Sequence, residues 1–211
     1  MRAFICYYFA VKLNVMRLTA IDRPKGIILK LFFWLSKKQF GKVLAVLRVI
    51  YARSKPVLFA SLKILSTDNK LTLPKTTRIL IRYFTSHLNE CRFCSNAMRY
   101  QAMKAGMDRA QLKEVLHFEE SDRFSDREKA LLSYVKEVTL TKNSSDTVFD
   151  RLRQYFSDKE IVEITWVNAS ENYFNLLAKP MGLDSDNLKE KTRQHAAAHM
   201  TIASEKASVS A

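Results

Sequence analysis

Cys91 and Cys94 form a C-x-x-C pair and are the residues of this chain best suited to chemistry. Residues three apart lie on one face of a helix, so two thiols at this spacing can approach disulfide geometry. If the pair opens a helix, the unpaired N–H groups of the first turn stabilise a thiolate. A peroxide can then oxidise one thiol to a sulfenic acid, and the second thiol can attack that sulfur to close a disulfide. The pair is therefore predicted to be redox-active.

Charged and titratable residues surround the pair in the sequence. Arg92 and Arg99 add positive charge, which favours a thiolate, while Glu90 opposes it. His87 stands four residues before Cys91. If one helix runs through both positions, the imidazole reaches the thiol and serves as its base. A packing role for His87 is the alternative, and both interpretations remain open.

A metal site and a structural role are the other interpretations of the pair. A structural zinc site needs about four ligands, and C-x-x-C supplies two. The remaining cysteine, Cys6, is remote, and the histidines show no classical ligand spacing: His87, His117, His195 and His199. We therefore expect neither a metal nor a cofactor. A buried, purely structural role for the two cysteines remains an alternative. The polar residues around them argue against full burial: His87, Asn89, Glu90, Arg92, Ser95 and Asn96.

The elements that carry the pair are predicted to be helices. The chain has four Gly and four Pro among its 211 residues. Sheets need many turns, and turns use these two residues, so their shortage favours an all-α fold. No segment alternates apolar and polar residues over several positions, as a half-buried strand would. We predict a bundle of about seven or eight helices.

Start and stop signals divide the chain into these helices. Helix starts are predicted at Asp22-Arg23-Pro24, Pro56, Pro74, Asp108, Ser125, Asp146 and Ser157, where a proline or a capping side chain precedes an apolar run. Two of these starts match the S-x-x-E capping box, through Glu128 and Glu160. Helix ends are predicted at Gly41, Gly106 and Gly182.

The chain is predicted to have one domain with two extensions. We expect an unstructured extension over residues 1–20, a helical domain over 21–183 and a disordered tail over 184–211. The chain could also properly start at Met16. Lys12 interrupts the opening apolar run, and no stretch reaches the roughly 18–20 apolar residues of a membrane span. A cytoplasmic location is therefore predicted, with a membrane-peripheral one as the alternative.

The positive charge is concentrated in the first part of the chain. Residues 1–90 hold 17 Lys and Arg against three acidic residues, a net charge of +14, whereas residues 91–211 hold 18 of each sign. Such a field favours an anionic partner, namely acidic lipid, nucleic acid or an acidic protein, unless it only keeps the surface soluble. No nucleic-acid-binding motif occurs, so we do not expect nucleic acid as the partner.

Residues 25–38 combine crowded apolar side chains with four lysines. The apolar residues occupy more than one helical face, which predicts a helix buried against the domain or a neighbouring subunit. A helix lying on an anionic membrane surface is the alternative.

The chain resembles the carboxymuconolactone decarboxylase and AhpD-like (alkylhydroperoxidase) family. The resemblance is carried by LTLPKTTRILIRYFTSHLNECRFCSNAMRYQAMKAG, by FSDREKALLSYVKEVT and by DRLRQYFSDKEIVEITWVNASENYFNLLAKPMGL, and covers roughly residues 45–183. It implies an all-α fold that assembles into trimers or hexamers. In the peroxidase branch it implies a C-x-x-C pair assisted by a Glu twelve residues before the first cysteine and a His four residues after the second. These positions hold Ile79 and Met98. The resemblance therefore extends to the two thiols but not to the Glu and His that would transfer protons.

Two functions are predicted as alternatives. The first is a thiol-dependent, peroxide-reducing or thiol–disulfide oxidoreductase that uses Cys91 and Cys94, with His87 as base. Its substrate would be a peroxide or a disulfide, its partner a thiol reductant, and its role antioxidant. The second is a catalytically degenerate AhpD-like binding or scaffold protein that acts through its basic N-terminal surface. Whether the chain is an enzyme therefore stays open on the sequence alone.

Overall fold

The computed structural model describes residues 16–183, and in this part of the chain every regular element is a helix. The α-helices are α1 Ile27–Phe40, α2 Lys55–Asp68, α3 Lys75–Leu88, α4 Arg92–Lys104, α5 Arg109–Lys113, α6 Asp126–Thr141, α7 Asp146–Arg153 and α8 Asp158–Ala178. A π-helical segment spans Leu47–Tyr51 and a 3-10 turn spans Val115–His117. The all-α prediction is confirmed. The predicted N-terminal extension, up to residue 15, and the predicted tail lie outside the described residues.

Helix α3 is the centre of the bundle and packs against α4, α6 and α8. Every residue from Ile79 to Ser86 is buried, because neighbouring helices cover α3 on several sides. The main core places Phe84 of α3 against Phe118, with ring centroids 5.4 Å apart in an edge-to-face arrangement. Burying an aromatic side chain of this size contributes about 2–3 kcal/mol.

Capping side chains fix the starts of three later helices as predicted. The capping boxes of Ser125 and Ser157 are both formed, and the Asp108 carboxylate accepts the first backbone N–H groups of α5. The predicted cap at Asp146 is wrong: this residue is the first residue of α7, and Ser145 precedes it at the cap position. The two residues are adjacent and both favour caps, so the sequence did not distinguish them.

Two of the three predicted glycine stops end their helices. Gly41 caps α1 with φ +71°, and Gly106 follows α4 with φ +72°, a region that suits residues without a Cβ. Helix α8 ends earlier than predicted, at Ala178, and Gly182 lies in the turn beyond it.

The N-terminal helices form a smaller layer over the cysteine side of the bundle. One cluster holds Leu29, Phe33 and Leu58, and a second places Val49 against the cysteine pair. The segment between α1 and α2 therefore covers the pair and connects the two layers.

The prediction that residues 25–38 are buried holds for one face of α1 only. Leu29 and Phe33 are buried against the domain, but Ile27 is 86% exposed and Trp34 is 56% exposed. In the described part of the chain nothing covers this second face.

Candidate functional site

The cysteine pair opens α4, as the sequence predicts, but a break separates it from α3. Helix α3 ends at Leu88, and Glu90 takes a left-handed conformation with φ +52°. Cys91 is the N-cap of α4 and its backbone N–H donates to the Ser86 carbonyl at 2.9 Å. Non-glycine residues rarely adopt a positive φ, so the surrounding contacts must hold Glu90 in place.

Cys91 and Cys94 are joined by a disulfide, with their Cα atoms 5.3 Å apart. The Cys94 N–H points at the Cys91 sulfur, 3.4 Å away. The first N–H groups of a helix lack partners within the helix, and the sequence predicted that such a group would contact a thiolate here. In the reduced protein the same N–H would favour the thiolate form of Cys91.

Both cysteines are buried, with 2% and 4% of their surfaces exposed. The expectation that polar neighbours keep the pair from full burial is wrong. Asn89 donates to Asn172 and Asn175 of α8, each at 2.9 Å, and its carbonyl accepts from Lys179. Asn89 is thus satisfied by α8, while Ser95 and Asn96 donate to the Arg92 carbonyl within α4, so these polar side chains do not open the pair to water.

A cavity of about 570 Å³ lies beside the pair and is lined by Cys94. Helix α3 contributes Ile79 and Arg82, α4 contributes Met98, and the N-terminal layer supplies apolar side chains. Exposed Lys75 also lines it, so the cavity reaches the protein surface. A molecule in this cavity would meet Cys94.

Glu171 of α8 is a fully buried carboxylate that lines the same cavity. Arg82 donates to one of its oxygens at 2.8 Å, and Ser86 and Asn175 donate to the other at 2.7 and 2.8 Å. Burial raises the pKa of Glu171, although Arg82 and these hydrogen bonds oppose the rise. The site therefore contains a group that can hold and release a proton.

Glu171 was not predicted from the sequence. It lies 89 residues from Arg82 in the chain, so their ion pair leaves no local signal. The available signal was the spacing of polar residues in the last helix: Asn168, Glu171 and Asn175 lie at i, i+3 and i+7, on one face. That face is buried.

His87 lies at the end of α3, before the break. Its ring contacts the Tyr83 ring edge-to-face, with centroids 4.5 Å apart. Burial lowers the pKa of His87, and the charge of Arg99 lowers it further. Because α3 ends at Leu88, the continuous helix on which the predicted approach to Cys91 depended is not formed.

No group of three or more metal-ligating side chains lies together within residues 16–183. Over the same range, no helix is both long and apolar enough to cross a membrane.

Comparison with known proteins finds a family model and a relative that are similar to parts of this chain. The sequence model of the carboxymuconolactone decarboxylase family matches residues 61–137, from α2 through the cysteine pair to α6. The uncharacterized protein YdfG of Bacillus subtilis is 28% identical over 141 residues, which are 64% of this chain and 94% of YdfG.

Solved structures share the fold. A protein of unknown function from Agrobacterium tumefaciens, regarded as a candidate AhpD antioxidant defence protein, is 27% identical with a TM-score of 0.63, over 65% of this chain and 97% of its own. The debrominase Bmp8 is 17% identical with a TM-score of 0.72, and the match covers 86% of this chain and 98% of the Bmp8 chain. At that identity, Bmp8 bears on the fold alone.

Proposed function

The chain belongs to the carboxymuconolactone decarboxylase and AhpD-like family, and we propose that it is a thiol-dependent oxidoreductase that reduces peroxides or disulfides through Cys91 and Cys94. The observation that carries the proposal is the position of Cys94: it is disulfide-bonded to Cys91 and also lines a cavity that reaches the surface. A buried structural disulfide has no need of such a cavity.

In the proposed reaction Cys94 acts first. Its thiolate attacks the outer oxygen of a hydroperoxide, the O–O bond breaks, and the alkoxide leaves as an alcohol after taking one proton. The Cys91 thiolate, favoured by the Cys94 N–H, then attacks the Cys94 sulfenic acid. The S–O bond breaks, hydroxide leaves as water after taking a second proton, and the disulfide forms. A dithiol reductant returns two electrons and two protons.

Glu171 is the proposed proton carrier for these steps. It lines the same cavity as Cys94, and burial raises its pKa, which makes its protonated form easier to populate than in water. It would accept a proton from the Cys94 thiol and deliver one to the leaving alkoxide. His87 remains a second proposed base, and its lowered pKa keeps the imidazole neutral and able to accept a proton.

Intact mass measurement of the full chain tests the proposal. The reduced protein should lose two hydrogen atoms in mass after one equivalent of hydrogen peroxide and regain them with a dithiol. Cys94→Ser should abolish peroxide turnover, whereas Cys6→Ser, which removes the cysteine outside the pair, should leave it unchanged. The proposal fails if the reduced pair resists alkylation and Cys94→Ser turns over peroxide at the rate of the unaltered protein.

Helix α1 favours a second function, that of a protein bound to an anionic membrane surface. Its exposed apolar side chains lie on one stripe: Ile27, Ile28, Leu31, Trp34 and Leu35. Lys30, Lys37 and Lys38 are exposed beside them, and the Lys38 ammonium lies over the Trp34 ring at 5.2 Å. Helix α1 contains no acidic residue. Apolar stripes flanked by lysines suit the boundary between lipid headgroups and acyl chains.

Co-sedimentation with lipid vesicles tests this second function. Vesicles containing phosphatidylserine should bind the chain at low salt and release it at high salt, and neutral vesicles should bind it less. The double variant Leu31→Glu, Trp34→Glu should lose binding, while Leu176→Glu, at an exposed leucine of α8, should keep it. If the stripe variant instead converts an oligomer to a monomer, the stripe is a subunit interface and the membrane function is wrong.

A further inference from the structure

We infer that the cavity beside Cys94 selects substrates that carry a carboxylate at one end of an apolar body, such as hydroperoxides of long-chain carboxylic acids. The inference rests on the proposed function and names its substrate class. It draws on the charges in the cavity wall, on an arginine of that wall with no carboxylate partner among the described residues, and on its distance along α3 from the cysteines.

Two cations of the cavity wall have no carboxylate partner among residues 16–183. Five charged side chains line it: Lys75, Arg78, Arg82, Asp68 and Glu171. Both carboxylates pair with Arg82, and Asp68 also accepts from the Trp166 indole N–H at 2.9 Å. Neither Lys75 nor Arg78 forms an ion pair within the described residues.

Arg78 has a buried donor that nothing in the described chain accepts. One of its terminal nitrogens donates to the Asp68 carbonyl, but its Nε is buried without a hydrogen-bond partner. A buried polar group left unpaired is unfavourable, and more so when it is charged. Because Arg78 lines the cavity, a carboxylate bound there would give its guanidinium group a counter-charge, and a guanidinium group suits a carboxylate better than an ammonium does. Lys75 would add a second positive charge at the exposed edge.

The rest of the wall is mostly apolar. The N-terminal layer contributes Phe40 and Leu44, α4 contributes Phe93, and α8 contributes Phe174 and Leu177. A volume of about 570 Å³ falls within the range of roughly 300–1,000 Å³ found for small-molecule pockets. A hydrocarbon chain could therefore fill the space between the cations and Cys94.

The geometry of α3 sets the spacing between the two ends of the substrate. Ser86 lies beside the pair, since its carbonyl accepts from the Cys91 N–H. Arg78 precedes Ser86 by eight residues of the same helix, which is about 12 Å along the helix axis. The carboxylate and the reducible group should therefore be separated by a chain of comparable length, and short hydroperoxides cannot contact both ends.

Matched substrates test the inference on the full chain. The hydroperoxide of linoleic acid should be reduced with a kcat/KM about tenfold or more above that of its methyl ester, the range expected for losing a charged hydrogen bond. Arg78→Met should remove this difference by raising KM for the acid, so that the ratio of kcat/KM between acid and ester falls to about one within that variant. Arg78→Lys should keep part of the preference, and Arg151→Met, at an exposed arginine of α7, should keep all of it.

Binding without turnover separates failure of this inference from failure of the proposed function. Decanoate should bind the oxidised protein about tenfold more tightly than decanol does, and Arg78→Met should remove that advantage. Equal binding of both ligands, or equal kcat/KM for acid and ester, overturns the inference while leaving the thiol chemistry intact. Tight decanoate binding without peroxide turnover overturns the proposed function instead, and leaves a carboxylate-binding site.

Discussion

Glu171 is a buried titratable group of the cavity, whereas Ile79 and Met98 stand where the family resemblance implies a Glu and a His. Ile79 and Met98 line the same cavity and can carry no proton. Glu171 reaches this cavity from α8, held by Arg82, Ser86 and Asn175. The cavity beside Cys94 thus contains a carboxylate, which α8 contributes.

Replacing Glu171 by Gln should slow the reaction of Cys94 with peroxide by about 10²-fold or more, the usual contribution of a positioned acid or base. Gln retains the shape and most hydrogen bonds but cannot transfer a proton. Stopped-flow measurement of sulfenic acid formation gives the rate. Glu163→Gln, at a buried glutamate of α8 that accepts from Thr72 and Leu73, is the control and should react at the original rate.

A second carboxylate can distinguish proton transfer from simple packing. Ile79→Glu, added to Glu171→Gln, should restore part of the rate because residue 79 faces the same cavity. An unchanged rate in Glu171→Gln alone would rule out Glu171 as the proton carrier and leave His87 as the candidate.

His87 should make the stability of the protein fall as the solution is acidified. Burial lowers its folded-state pKa below the ordinary value of 6.5, so near pH 6.5 the unfolded chain takes up a proton that the native state does not. The free energy of unfolding therefore falls as the pH drops through 6.5 towards the folded-state pKa. His87→Phe should flatten this dependence in urea titrations between about pH 7.5 and 5.5. His117→Phe, at an exposed histidine, should leave it in place.

At the scale of elements, the break between α3 and α4 determines where the cysteines lie. Glu90 follows the end of α3 in a left-handed conformation, and Cys91 comes next at the N-cap of α4. A continuous helix would instead put both cysteines in its interior, where the N–H groups are already bonded within the helix. The break therefore creates the N–H contact to the Cys91 sulfur.

Glu90→Val should destabilise the protein by about 1–2 kcal/mol, because a β-branched residue is strained at a positive φ. Glu90→Gly should unfold close to the original denaturant midpoint, since glycine adopts this conformation without strain. Glu90→Gln tests the exposed ion pair with Lys179 separately and should cost less than about 1 kcal/mol. Equal midpoints for the Val and Gly variants would contradict the strain at this position.

At the scale of the whole molecule, a buried polar network joins helices that are far apart in the chain. Arg82 of α3 bonds to Asp68 of α2 and to Ser170 and Glu171 of α8. These helices also form the wall of the cavity. The network therefore sets the shape of the site as well as the packing of the bundle.

Arg82→Met should lower the free energy of unfolding by about 3–5 kcal/mol, because it leaves two carboxylates in the interior without their cation. Adding Glu171→Gln to that variant should recover part of the loss by removing one of the two charges. Denaturant unfolding measures both. Arg127→Met, which breaks an ion pair at the surface with Glu160, should cost less than about 1 kcal/mol. A similar cost for the two single variants would contradict the structural role of the network.

The family's trimeric or hexameric assembly remains a prediction for this chain. Light scattering coupled to size exclusion would measure the subunit number directly. The measurement also bears on the exposed stripe of α1, because either a membrane surface or a second subunit would cover that stripe.

The amino-acid sequence by itself determined the helical class, the capping boxes at Ser125 and Ser157, and the opening of α4 by the cysteine pair. These features depend on residues a few positions apart, whose backbone and side-chain contacts follow from helix geometry. The family resemblance also predicts that Ile79 and Met98 stand where a Glu and a His would assist the cysteines, and this stays a prediction.

Only the tertiary structure decided which groups meet at the site. The burial of the cysteines, the exposed face of α1 and the pairing of Arg82 with Glu171 depend on helices packed from distant parts of the chain. Periodicity shows that a helix has a polar or apolar face but not which neighbour covers it. For the same reason Glu171 was missed, and the exposed cysteines expected from their polar neighbours proved to be buried beside a cavity.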